Sequence, residues 1–176
     1  EIFEQRILGE DGHLKLFFDD DWNCSYDIFS YGHDIEASWL LHESALVLGE
    51  EEPLAKVESR LPSVVAAASE GFTPEGGMIY EKMGDHIDGD RHWSVQAEAA
   101  VGYFNLWEHF GAHEGLENAI HCWEYIKKEL VDEKNGEWYW SVRADGSINR
   151  VEDKAGFWKC PYHNGRMCLE IIERVK

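Results

Sequence analysis

The sequence predicts an all-α fold of the α/α toroid type, in which inner and outer helices alternate around a cavity. Three observations indicate this fold. Five helical segments alternate with short β pieces along the 176 residues. The first, third and fifth begin with histidine or tryptophan among polar residues, in GHDIE (32–36), RHWSVQ (91–96) and PYHNGR (161–166). The second and fourth have the charged outer face of ordinary amphipathic helices. The spacing of the three unusual starts suggests a repeated helical hairpin whose inner helices face one cavity.

The first half of the chain predicts a hairpin and two helices. Residues 3–8 and 13–18 are apolar or alternating runs around the turn at 9–12, which indicates a β-hairpin. A helix is predicted from His33 to a stop at Gly49. A second helix runs from Pro53 to Gly71, and Pro62 predicts a kink within it.

The second half predicts three further helices and two short β segments. Residues 76–81 are predicted to form a strand and 84–89 a polar loop. An almost wholly apolar helix follows from about residue 92 to 110, and an amphipathic helix covers 114–130. The alternation of Trp138, Trp140 and Val142 between two Asx-Gly turns predicts a strand or hairpin, and the last helix runs from near His163 to Val175.

Five helices are too few to close such a ring and would leave the apolar third helix exposed. We therefore expect residues 1–176 to be the C-terminal portion of a single barrel domain whose other helices precede Glu1. The absence of an initial Met and the mid-domain character of the first hairpin agree with that expectation.

Composition excludes several classes of partner. Sixteen Lys and Arg stand against 35 Asp and Glu, for a formal charge of −19, which disfavours nucleic acids and anionic membrane surfaces. No apolar run is long enough for a membrane span. The four cysteines show no CxxC spacing, so we expect reduced, structural thiols and a cytoplasmic location. The 23 aromatic residues either fill the core or line a sugar-binding or apolar pocket.

Three strings carry a resemblance to a known family. They are SYGHDIEASWLL (30–41), DRHWSVQAEAAVGYFN (90–105) and KAGFWKCPYHNGRMCLEII (154–172). Together they resemble the cellobiose 2-epimerases of the N-acylglucosamine 2-epimerase superfamily, over nearly the whole chain and over the C-terminal half of the family's length. The resemblance implies an (α/α)₆ barrel that converts the reducing-end glucose of a β-1,4-linked disaccharide to mannose, with no metal or nucleotide cofactor.

The resemblance also implies roles for individual residues. His33 and His163 would be the general acid and base, and Glu36, Glu98 and Trp158 would belong to the sugar-binding set. Glu98 would accept from a sugar hydroxyl or have an ordering role. Trp93 is a weaker sugar-binding candidate, because its helix spacing also fits packing in the core. Inversion of a carbon beside a carbonyl needs proton transfer on both faces, and histidine suits both steps because its reference pKa is about 6.5. A helix N-terminus also disfavours imidazolium, which keeps a waiting base neutral.

The chain departs from the family pattern in two respects. Ser94 follows Trp93 where members commonly have a second tryptophan that would stack on the sugar. An arginine and a further histidine come from the family's N-terminal half, so this chain alone is expected to lack full activity. The sequence leaves open which histidine faces which side of C2, which sugar is preferred, and how subunits associate.

Other functions stay open at this point. A glycoside hydrolase on the same toroid would use two carboxylates, such as Asp34 or Glu36 with Glu98 or Asp153. A carbohydrate-binding module would use the aromatics alone. The missing tryptophan at Ser94 also keeps open a monosaccharide epimerase of the same superfamily that acts on N-acylglucosamine or mannose. Zinc binding by the histidines at 109 and 113 is disfavoured because no HExxH glutamate is present. The glycines at 71–77 lack the spacing of a phosphate-binding loop, which disfavours sugar phosphates as substrates.

Overall fold

Five α-helices make up most of the chain in the computed structural model, which describes residues 2–176. The helices are α1 (Tyr31–Leu48), α2 (Glu51–Ala68), α3 (Trp93–Phe110), α4 (His113–Tyr125) and α5 (Tyr162–Arg174). Five short strands lie between them: β1 (Ile28–Ser30), β2 (Glu81–Met83), β3 (His86–Asp88), β4 (Arg91–His92) and β5 (Ser141–Val142). All five predicted helices are therefore present.

Glycines end two of the helices, and Gly49 does so as the sequence predicts. Gly49 has φ +71° and donates its N–H to the Ala45 carbonyl, and Gly111 has φ +67° and donates to the Trp107 carbonyl. Each is a left-handed residue that closes the last turn at little steric cost. Helix α2 continues through Pro62 to Ala68. Helix α4 continues into a π-helical turn, Ile126–Leu130, so the predicted end at residue 130 is also observed.

Helix α3 is the centre of the core. It packs on α1, α4 and α5, while α2 packs mainly on α1. Residues 95–106 of α3 are all buried, and Ile35 and Trp39 of α1 lie against them. Gly102 permits the close approach of α1, because a Cβ there would lie 2.5 Å from Ile35 Cγ1. The first, third and fifth helices therefore lie side by side, with the second and fourth outside them.

The strands lead into two of the helix starts. Strands β1, β2 and β3 form an antiparallel sheet, and β1 ends at the residue before α1. Strand β4 pairs with β5 and ends immediately before Trp93, whose N–H donates to the Trp140 carbonyl. These pairings fix where the first turns of α1 and α3 point.

The predicted N-terminal hairpin is wrong. Residues Phe3–Ile7 form a π-helical turn, in which the Leu8 N–H donates to the Phe3 carbonyl at 2.8 Å. Because residues 3–7 are helical and not extended, pairing across the predicted hairpin is limited to one bridge between Leu8 and Leu14, beside which the Lys15 N–H donates to the Ile7 carbonyl at 2.7 Å. The Gly-bounded turn itself is observed, with Gly9 N–H donating to the His13 carbonyl at 2.8 Å.

The predicted strand at 76–81 and loop at 84–89 are also wrong. The strands lie at β2 and β3, which form a hairpin around Gly84 (φ +55°). Met78 makes its backbone hydrogen bonds with the buried Gln96 side chain instead, at 2.8 Å for its N–H and 2.7 Å for its carbonyl. The Gln96 side chain of α3 thus satisfies the Met78 N–H and carbonyl, which would pair with a neighbouring strand in a sheet.

The segment before α1 is attached through His13. Its Nδ1 lies 2.7 Å from Asp34 Oδ2, and the Leu14 N–H donates to Asp34 Oδ1 at 2.8 Å. His13 and Asp34 are 3% and 1% exposed. Burial lowers the pKa of His13, but the hydrogen bond and charge of Asp34, helped by Glu70 and Asp11, outweigh burial and raise it above 6.5.

Across residues 2–176, every helix is too short or too polar to cross a lipid bilayer.

Candidate active site

A cavity of about 630 Å³ lies where the first turns of α1, α3 and α5 meet. All six residues singled out from the sequence line it: His33, Glu36, Trp93, Glu98, Trp158 and His163. They come from three helices and one loop that are far apart along the chain. The structure therefore brings the two histidines to one cavity, although the sequence separates them by 130 positions.

His163, the second residue of α5, is held by Glu98 of α3. Its Nδ1 lies 2.7 Å from Glu98 Oε1, and Glu98 Oε2 accepts a hydrogen bond from Trp39 Nε1 at 2.9 Å. Glu98 is 3% exposed. An ionised carboxylate only accepts, so this contact places the proton of a neutral His163 ring on Nδ1 and leaves a lone pair on Nε2.

His33, the third residue of α1, has a different partner. Its Nδ1 lies 2.7 Å from the hydroxyl oxygen of the buried Ser30, the residue immediately before the helix. A hydroxyl donates or accepts, so Ser30 is compatible with either tautomer of the ring. Sequence reasoning missed Ser30, although its position three residues before His33 places it beside that residue at the helix start.

Arg166 is a second residue that sequence reasoning missed. Its Nη2 lies 2.6 Å from Glu36 Oε1 and 2.7 Å from Glu98 Oε1. The guanidinium is stacked near Trp39 and Tyr162, 4.9 and 4.3 Å from the ring centroids, and its Nη1 bonds the Tyr162 hydroxyl. Burial lowers the pKa of Arg166, but hydrogen bonds and charges of both carboxylates outweigh burial and raise it. Its spacing of three from His163 on one helix face was the available signal.

Glu36, Glu98 and His163 are the residues here that could hold a metal ion. One ligand atom from each lies within 4.8 Å of the others. Arg166 contacts both carboxylates, so its guanidinium already supplies positive charge between them. An ion bound by all three would have to compete with that cation.

The two candidate tryptophans differ in exposure. Trp93 is buried at 5% exposure, with its ring 4.5 Å from that of Trp140 and Lys159 Nζ 5.4 Å from its centroid. Trp158 is 78% exposed at the cavity rim. Ser94 also lines the cavity and presents a hydroxyl where the family resemblance led us to expect a ring.

The loop carrying Trp158 is anchored by the next residue. Lys159 is fully buried, and its Nζ donates to Glu137 Oε1 at 2.9 Å and to the Lys154 carbonyl at 2.8 Å. Lys154 in turn donates to Asp132 and to the Gly136 carbonyl, both at 2.8 Å. Two lysines therefore attach this loop to the turn that follows α4.

His92 and Tyr80 form a further wall of the cavity. Their rings are stacked with centroids 4.0 Å apart. Burial lowers the pKa of His92, and the charges of Asp88 and Asp90 offset this only in part. The lowered pKa favours the neutral form of His92. Its place beside Trp93 in the same string was the sequence signal for it.

Two acids named for the hydrolase alternative lie outside the cavity lining. Asp34 is committed to His13 and to the Leu14 N–H, and Asp153 is exposed on the loop before α5. The carboxylates that do line the cavity are Glu36 and Glu98.

The family is decided by comparison with known proteins. Residues 1–165 match the family described as N-acylglucosamine 2-epimerase (GlcNAc 2-epimerase). The chain belongs to this family. Among its family relatives, a cellobiose 2-epimerase of Bacteroides fragilis is 59% identical over 97% of this chain and 44% of its own length. A cellobiose 2-epimerase of Ruminococcus albus is 43% identical over 92% of this chain and 42% of its own length.

The family's solved structures agree. The structure described as a sugar epimerase from a ruminal bacterium superposes with a TM-score of 0.94 at 38% identity, over 98% of this chain and 45% of that one. The predicted resemblance and the predicted all-α, partial α/α toroid are thereby confirmed. The chain spans less than half the length of these relatives.

Proposed function

We propose that this chain is the C-terminal part of an epimerase that inverts C2 of the reducing-end glucose of cellobiose and related β-1,4-linked disaccharides. The observation that carries the proposal is the presence of His33 and His163 in one cavity, each with its Nδ1 bonded to a buried partner. The relatives named cellobiose 2-epimerase give independent support.

The proposed reaction is a two-base proton transfer. One imidazole takes the C2 proton of the open-chain sugar, and the electrons of that C–H bond form the C1–C2 double bond while the carbonyl becomes an enediolate oxygen. The second imidazole returns a proton to C2 from the opposite face, and the carbonyl re-forms. Because each Nδ1 of His33 and His163 is already bonded, each Nε2 is the atom proposed to move the proton.

The other cavity residues are proposed to bind the sugar. Glu36 accepts from a sugar hydroxyl, and Trp158 stacks on a pyranose face at the rim. Trp93 contributes the edge that reaches the cavity lining. Glu98 has hydrogen bonds to Trp39, His163 and Arg166, which supports an ordering role more strongly than a sugar contact, the other role expected from the sequence. The reaction is proposed to need no metal or nucleotide cofactor.

The active protein is proposed to include further helices of the barrel. An apolar groove between α4 and α5 contains Ile120, Trp123 and Ile172, which are 50%, 40% and 52% exposed. Helices supplied by the N-terminal half of the same barrel would cover this face. The partner is then a small sugar, with no nucleic acid or membrane, and the cytoplasm remains the proposed location.

Heavy water provides the deciding experiment. The full-length protein is incubated with cellobiose in D₂O, and deuterium at C2 is measured by NMR. We expect labelled product with a mannose unit, and loss of labelling in His33→Asn and His163→Asn. His121→Asn, an exposed histidine on α4, is the matched control and should retain activity.

The outcome also separates the alternatives. Released glucose without C2 label would indicate a glycoside hydrolase. That reaction has less support, because both carboxylates that line the cavity are engaged in ion pairs with Arg166. Sugar binding that survives in both histidine variants, with no turnover in the parent, would indicate a carbohydrate-binding module.

A monosaccharide epimerase is the second candidate, and Ser94 favours it. The residue lines the cavity without offering a stacking platform for a second sugar unit. Turnover of mannose or N-acetylglucosamine that exceeds turnover of cellobiose would support this candidate. Under the disaccharide proposal, Ser94→Trp should lower KM for cellobiose and leave that for the monosaccharides nearly unchanged.

A further inference from the structure

Arg166 connects the three polar side chains on one side of the cavity. A single nitrogen, Nη2, contacts Oε1 of both Glu36 and Glu98. Glu98 Oε1 also bonds His163 Nδ1 at the same distance of 2.7 Å, so the imidazole and guanidinium nitrogens are at most twice that distance apart. A change in the charge of Arg166 therefore acts on His163 at short range.

The guanidinium is held there by more than its charge. It is stacked against the rings of Trp39 and Tyr162, and its side chain is 17% exposed. Aromatic faces stabilise a planar cation and exclude water from it, which strengthens its interaction with the carboxylates. The position is thus built for arginine, and a lysine at this site would lose the stacking and the planar fork.

Two carboxylates beside one imidazole present an electrostatic difficulty for a base. Opposite charges within about 4–6 Å favour the protonated ring, and a ring that stays protonated cannot accept the C2 proton. A cation shared by both carboxylates offsets this effect. The same cation also prevents the two acids from repelling each other.

We propose that Arg166 is a positioning residue that balances the charge of Glu36 and Glu98 and thereby keeps His163 able to release its proton near neutral pH. This inference rests on the proposed acid–base role of His163. It adds a residue from α5 to the site and gives the carboxylate pair a function separate from sugar binding.

The charges that face His163 come from each element around it. Glu98 belongs to α3, Glu36 to α1, and Arg166 and Tyr162 to α5. The loop before α5 contributes Lys159, whose ammonium lies over the ring of Trp93, itself 6.1 Å from the imidazole. Arg166 and Glu36, the two groups replaced in the test, lie close to the ring, so their effects should dominate.

The test is an NMR titration of the His163 ring in the full-length protein with ¹³C-labelled histidine. The signal is assigned by its loss in His163→Asn. In Arg166→Gln the midpoint should move up by about one pH unit, since a cation near the ring has been removed. In Glu36→Gln it should move down, and the double variant should return toward the parent. Arg174→Gln is the matched control, because Arg174 is also on α5 and bridges to α1 and α3 away from the cavity.

The results distinguish this inference from the proposed function. A midpoint that is unchanged in Arg166→Gln, or that moves equally in Arg174→Gln, would overturn the inference. If Arg166→Gln does not fold, the Glu36→Gln variant is the test. A His163 midpoint that is unchanged or raised in Glu36→Gln would also overturn the inference. The His163 midpoint could move up in Arg166→Gln and down in Glu36→Gln while the parent protein incorporates no deuterium at C2. That result would support the charge balance by Arg166 and refute the proposed epimerase activity. In an active enzyme, the pH at which kcat/KM falls on the acid side of its pH profile should shift together with the His163 midpoint. Arg166→Lys should return that pH to the parent value, with a lower kcat.

Discussion

Replacement of Glu98 by glutamine tests how His163 is oriented. The side chain keeps its size, but one oxygen becomes an NH₂ group. In the structure the carboxylate accepts from Trp39 Nε1, His163 Nδ1 and Arg166 Nη2. If the amide oxygen faces His163 and Arg166, the NH₂ group points at the indole N–H of Trp39. If the amide is turned the other way, the NH₂ group points at the guanidinium of Arg166. Either way a buried donor meets another donor.

The expected cost follows from these contacts. Hydrogen bonds to charged groups are worth about 1.5–3 kcal/mol each, and one is lost outright while another is weakened, so we expect a loss of about 2–4 kcal/mol in unfolding free energy. The His163 ring also loses the partner that fixes its tautomer. A loss of kcat of about 10²- to 10³-fold is expected, within the range for a misplaced general base.

The assays are urea unfolding and C2 labelling in D₂O. Glu108→Gln is the matched control: Glu108 lies on the same helix and also binds an arginine of α5, but it is 30% exposed and outside the cavity. The Glu108→Gln substitution should lower the unfolding free energy by less than about 1 kcal/mol. A Glu98→Gln variant with kcat within threefold of the parent and an unchanged unfolding midpoint would refute the orienting role.

Three further predictions concern stability. Gly102→Ala should lower the unfolding free energy by about 1–3 kcal/mol, because its Cβ would overlap Ile35; an unchanged urea midpoint would contradict the close α1–α3 contact. The raised pKa of His13 implies stabilisation that is complete below pH 6.5 and lost as pH rises through the folded-state pKa. The parent should thus lose stability as the pH rises above 6.5 in urea titrations, and His13→Gln should show a flatter profile. Lys159→Met should lower the unfolding free energy by about 1–3 kcal/mol, because the Glu137 carboxylate loses its ammonium partner; an unchanged thermal unfolding midpoint would contradict this anchoring role.

The helices were predictable because their signals are local. Apolar periodicity and the glycines at 49 and 111 fix the extent of α1 and α3 within the sequence itself. The β segments were less predictable, since their pairing depends on distant partners. Met78 is the clearest case: its backbone bonds a glutamine 18 residues away, and no local pattern indicates that.

The same contrast holds for the candidate site. The six named residues were found from short strings that a family resemblance identified, and all of them line the cavity. The contacts that give them different properties are long-range. Glu98 and His163 are 65 positions apart, and Arg166 reaches 130 positions back to Glu36. The exposure of the two tryptophans could not be predicted from the sequence either. Trp93 is buried, whereas Trp158 is 78% exposed.

The unequal partners of the two imidazoles have a consequence for a reversible reaction. Glu98 accepts only, so under the proposed mechanism the Nδ1 proton of His163 would stay in place through each turnover, whereas the Ser30 hydroxyl would rotate to follow whichever form His33 adopts. Glucose-to-mannose and mannose-to-glucose turnover would then begin with proton abstraction by non-equivalent bases. Solvent isotope effects measured in the two directions should accordingly be unequal, even though the overall equilibrium is set by the sugars alone.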